Sequence, residues 1–74
     1  MESYLREVVE SVAAGGSCPS EKLQKIRSGV PVTVVAKYWN EVILKIFLEK
    51  GDTSYARDGY HNAVSLIEKH LIYK

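Results

Sequence analysis

The element that most constrains the fold of this chain runs from about Val32 to Lys50 and contains neither glycine nor proline. Val35, Tyr38, Trp39, Val42, Ile43, Ile46 and Phe47 fall at helical spacing and make a wide apolar face. The opening run Val30, Val32, Thr33, Val34 and Val35 is β-branched and would also suit a strand. A lone strand has no partner in this chain and is not stable, so a helix is expected. Lys37/Glu41 and Lys45/Glu49 are oppositely charged pairs four residues apart on the far side, with Glu41/Lys45 linking them. Leu44 and Leu48 break that division. They lie near the Lys37–Glu41 row, so the helix is apolar over much of its circumference. A helix apolar on two sides is buried from two sides, and here the second cover is expected to be another subunit.

Gly51-Asp52 ends this element. Gly51 suits the left-handed position after a helix, and Asp52 or Thr53 suits the next N-cap. So short a connection turns the chain back as an antiparallel helical hairpin. The returning helix, about Thr53 to Ile72, presents Ala56, Tyr60, Ala63, Ile67 and Leu71 along one face. Within it, Ala56, Gly59 and Ala63 are small and nearly co-facial, which suggests close approach of another helix. Gly59 inside a helix costs ~1 kcal/mol against alanine, and close packing would explain it.

Upstream, Leu5, Val8, Val9 and Val12 share one face of a helix over Glu2–Ala14, with Arg6, Glu7 and Glu10 on the other. Gly15-Gly16 ends it. A short helix over Pro19–Arg27 offers Leu23 and Ile26 to a core and closes at Ser28-Gly29. The expected fold is all-α, a three- to four-helix bundle built on a long C-terminal antiparallel hairpin, with residues 1–74 as one domain.

Size makes association an expectation in its own right. The chain has 74 residues, 46% hydrophobic and 26% charged, which is a globular composition. A domain this small buries only about 60% of its unfolded surface, and its core leaves about 3–5 kcal/mol of stability. Cys18 is the only cysteine, so no internal disulfide or multi-cysteine zinc site adds to that. Ten basic against nine acidic residues give a net charge of +1, too near neutral to mark a nucleic-acid or membrane binder. Uncharged runs such as Ser28–Ala36 fall far short of the roughly 20 residues that cross a bilayer. Glu2, Arg6, Glu7 and Glu10 stand where a signal peptide would be apolar, so a cytoplasmic protein is expected.

The phrases Tyr38-Trp39-Asn40-Glu41, Phe47-Leu48-Glu49-Lys50-Gly51-Asp52 and Tyr60-His61-Asn62-Ala63 together carry a resemblance. This half of the chain, about residues 36–72, resembles the helical hairpin of small uncharacterised archaeal proteins. More distantly it is similar to hairpins of HEPN domains and of tetratricopeptide repeats. The resemblance implies a hairpin with an oligomerisation or scaffolding role. HEPN ribonucleases pair an arginine with a histidine, and the matching residues here are Arg57 and His61, separated by a shorter spacer than that family uses.

Among polar residues, Arg57, Asp58 and His61 form the best cluster: His61 as acid or base, Arg57 holding a phosphate. In one continuous helix Arg57 and His61 would share a face, and the bland reading is a solvated one. His70 lies nine residues beyond His61 and points elsewhere, a poor metal site. Cys18 precedes Pro19 near a helix start, where a dipole lowers a thiol pKa, but no base is placed beside it. Trp39 and Tyr38 suit a core, or a stacking or interface pocket. Lys22, Lys25 and Arg27 make a modest basic group.

The expected function is a non-enzymatic protein–protein interaction module without catalytic residue, cofactor or metal. It would act as a homo-oligomer or with another protein, through Trp39, Leu44, Phe47 and Leu48. The alternatives are a small nucleic-acid-associated regulator using Lys22, Lys25 and Arg27, a HEPN-like ribonuclease using Arg57 and His61, or an inhibitor of a host protein.

Overall fold

The computed structural model describes residues 1–73. Its elements are α1 (Glu2–Ala13), α2 (Ser20–Gly29), α3 (Val32–Arg57) and α4 (Tyr60–Leu71), with no strand among the described residues. The fold is an all-α four-helix bundle. Segment 32–50 of α3 and helix α4 run antiparallel, since Trp39 meets Glu68 and Lys50 meets Tyr60. Across this central pair, α1 and α2 each pack on both members.

Burial decides the local conformations. Leu5, Val8 and Val9 turn the apolar stripe of α1 into the core, and Leu23 does the same for α2. The β-branched start of α3 is helical from Val32, because Val35 is fully buried there and tertiary burial outweighs a small propensity term. Pro31, with its φ of −54°, stands at the N-cap, and its carbonyl accepts the amides of Val34 and Val35. Val30 before it is extended, as a residue preceding proline prefers.

The expected helix over Thr53–Ile72 is not continuous. Gly51 takes φ 79° and ψ 165°, residues 52–57 make a short helical segment, and Gly59 takes φ 85° and ψ 5° before α4 begins. The fold-back serves Tyr55. This residue is buried, meets Phe47 edge-on at 5.3 Å between ring centroids, and stacks on Tyr60 at 6.0 Å. The small-residue stripe accordingly does not exist as a helix face. Gly59 is a turn residue required for its positive φ, and Ala56 is exposed.

The expected charge pairs along α3 are also redirected. Lys45 bonds Glu2 and Glu49 meets Arg6 at 2.6 Å, so both tie α3 to α1 instead of to their neighbours. Arg6 holds the Glu49 carboxyl below the usual carboxylate range. Its contribution is therefore present above that range and lost as pH falls through the lowered value.

Gly51 gives the sharpest local prediction. A Cβ there would meet nothing, so the cost of Gly51→Ala is torsional, about 1–3 kcal/mol for a region essentially reserved to glycine. Gly29 also has open space but a helical conformation, and Gly29→Ala is expected to be neutral or stabilising by about 0.4–1 kcal/mol. Urea midpoints of the two variants check this. A Gly51→Ala midpoint equal to the parent's contradicts the assigned turn.

Candidate interface on the third helix

Segment 32–50 has a buried side and an open one. Val35, Trp39, Val42 and Ile46 point into the core, each no more than 1% exposed. On the opposite side Val34, Lys37, Glu41, Leu44 and Leu48 recur at alternating spacings of three and four, which keeps them in one line. All five are exposed, Leu44 at 57% and Leu48 at 74%. Tyr38 and Phe47, both exposed, flank this line on its two sides, while exposed Val32 stands at the helix start on the opposite side. Single exposed apolar residues are ordinary, but an aligned set at heptad spacing is the pattern of a helix seam.

The structure separates the four residues expected at the interface. Leu44 and Leu48 stand outside, while Phe47, 38% exposed, spends its ring edge on Tyr55 and borders the line. Trp39 does not belong with them. It lies on the core side, and its indole Nε1 donates to Glu68 Oε1 at 2.8 Å, so neither the ring nor its polar atom reaches the surface. Val34, Lys37 and Glu41 belong to the line although the sequence reading put Val34 in a β-branched run and the other two in a solvated pair. The alternating spacing was the signal that could have found them.

Charge differs along this helix. Lys45 and Glu49 are engaged with α1, whereas among the described residues neither Lys37 nor Glu41 makes an intrachain ion pair. The middle of the exposed line therefore carries one free cation and one free anion, with apolar groups on both sides.

The other candidates do not assemble. Arg57 and His61 are both exposed and lie on either side of the turn at Gly59, not on one face of a helix, and Arg57 turns to Asp58 at 3.7 Å. His70 is half-buried beside Arg27, Lys69 and Tyr73, in a groove of about 510 Å³ that Gln24 completes. Arg27 and Lys69 stand in the last turns of α2 and α4, where cations offset the partial charge of unpaired carbonyls, and Arg27 donates to the Tyr73 carbonyl at 3.3 Å. Lys22 lies away from this groove, in clefts shared with Glu7 and Glu21. So Lys22 and Arg27 do not line one groove. Burial pushes the Cys18 thiol up, the reverse of an activated nucleophile. Among the described residues no three histidine, cysteine or carboxylate side chains gather as a metal site would require, and no helix is long and apolar enough to cross a membrane.

Near the hairpin turn, burial raises the phenols of Tyr55 and Tyr60 above their usual pKa. A hydrogen bond from the Tyr60 hydroxyl to Glu10 at 3.0 Å adds to the shift of Tyr60. The folded state favours the neutral phenols, so their contribution is whole below pH about 10 and is lost as pH rises through the raised values. Absorbance titration of tyrosinate is expected to lose its highest-titrating component in Tyr60→Phe or Tyr55→Phe. A parent titration in which all tyrosines ionise together near pH about 10 contradicts this.

Compared with models of protein families, with curated proteins and with solved structures, the chain matches none.

Proposed function

We propose that this chain is a non-enzymatic interaction module that self-associates through the open side of α3. The observation that carries the reading is the placement of Leu44 and Leu48, largely exposed and directly opposite the core side of the same helix. Fully burying a leucine contributes about 1.5–3 kcal/mol, so these two on each of two copies supply at most ~6–12 kcal/mol. Association costs about 4–15 kcal/mol in lost freedom. Two leucines per copy are therefore marginal, and the contact must also recruit Val34, Tyr38 and Phe47. The resulting dimer adds burial that a chain of this size lacks on its own.

Residue-resolved dilution tests the reading. Amide resonances along Val34, Lys37, Glu41, Leu44 and Leu48 are expected to shift over a hundredfold dilution, while those of Leu23 and Ile67 in the core stay fixed. Spectra independent of concentration in the accessible range, or shifts confined to another helix, contradict it.

A further inference from the structure

We infer that the occupant of this face is a second copy lying antiparallel to the first, with the two-fold axis passing at the level of Trp39. The inference rests on the self-association reading above and specifies its geometry.

In a two-fold pair of antiparallel helices, a residue a given number of positions before the axis faces the residue the same number after it. With the axis at residue 39, Lys37 faces the partner subunit's Glu41, and Glu41 faces the partner subunit's Lys37. These are the two charges on the line that make no ion pair among the described residues. One layer further out, Val34 faces the partner subunit's Leu44, and Leu44 faces the partner subunit's Val34. Leu48 then comes level with the partner subunit's Val30, half-buried just before the start of α3. Val34 on each helix covers Leu44 on the other, and the charges in the middle are matched.

Other arrangements leave these charges mismatched. A parallel pair in register sets Lys37 against its own copy and Glu41 against its own copy, and opposed like charges cost several kcal/mol across an interface. Sliding the antiparallel pair by one heptad sets Lys37 against Leu48 and Glu41 against Leu44. Sliding by two heptads joins Leu44 to Leu48 but sets Glu41 against Gly51, next to Asp52, and leaves Lys37 and Val34 without a partner on segment 32–50. Charge complementarity thus selects one register, with the shallow crossing usual for helices packed along such a line.

The test uses the full chain with Cys18→Ser, so that the only thiols are those introduced. Proteins carrying Val34→Cys and Leu44→Cys are mixed and mildly oxidised. The expected product is the disulfide-linked 34–44 heterodimer. Linked 34–34 and 44–44 homodimers instead mean a parallel pair and overturn the inference.

Charge reversal checks the register without new thiols. Glu41→Lys alone is expected to weaken the dimer tenfold or more, and Lys37→Glu with Glu41→Lys to restore it. Solution mass separates the two levels of the claim. A dimer by mass that neither cross-links between 34 and 44 nor responds to the charge swap overturns the antiparallel register while leaving self-association standing. A monomer at every concentration overturns both.

Discussion

Trp39→Ala is expected to leave this chain largely unfolded at room temperature. Trp39 is the largest fully buried side chain, and its removal empties the contact between segment 32–50 and α4. Deleting a buried tryptophan costs about 3–5 kcal/mol. The whole stability of a domain this size is about 3–5 kcal/mol. The loss matches the total. The same substitution strips Glu68 of the indole N–H that it accepts at 2.8 Å, leaving a half-buried carboxylate without its donor. Trp39→Phe separates the two effects. It keeps much of the volume and loses only the hydrogen bond to a charged group, at about 1.5–3 kcal/mol. Far-ultraviolet circular dichroism with urea titration measures both. A Trp39→Ala protein with a cooperative transition near that of the parent would mean that the indole is not the keystone of the core.

Leu44→Glu with Leu48→Glu is expected to do the opposite. It should leave the fold intact and abolish assembly. Both side chains are largely exposed, and substitutions at such positions change stability by no more than about 0.5 kcal/mol. In the proposed dimer the same change replaces four apolar groups with four carboxylates, each set against an apolar residue, the partner subunit's Val34 or the partner subunit's Val30. Burying a carboxylate without a partner costs several kcal/mol, which is a loss of affinity of a hundredfold or more. Sedimentation velocity and a thermal melt on one preparation read both sides. An unfolded double variant would place the leucines in the core, and a variant that still dimerises would place the contact elsewhere.

The contrast between Trp39 and Leu44 marks where the sequence was legible. Periodicity alone picked out core residues in all four helices, such as Leu5, Val9, Leu23, Val35, Ile46 and Ile67, but it also put the exposed Tyr38, Phe47 and Ala56 on apolar faces. It also singled out Leu44 and Leu48 as surplus to one core. The break at Asp58-Gly59 was not legible as a break, because a lone glycine reads equally as a packing residue or as a turn. What decides is a tertiary contact, Tyr55 folded onto Phe47 and Tyr60, which no local pattern encodes. That break also dissolved the pairing of Arg57 with His61. Trp39, which its sequence offers both to a core and to an interface, lies in the core; its neighbours include both core and open positions, and one residue of rotation moves a side chain by ~100° around a helix. Glu2 and Arg6 as partners of Lys45 and Glu49 were equally hidden, since a pair four residues apart within one helix is the default reading of such a row.

The central claim is that one copy of this chain is not the working unit. Its most direct test is the mass of the unmodified protein by light scattering on a sizing column, over a hundredfold range of concentration. The account predicts a mass that approaches twice 8.3 kDa as concentration rises and falls back on dilution. A mass of 8.3 kDa at every concentration would contradict it, and the open side of α3 would then be no contact between copies.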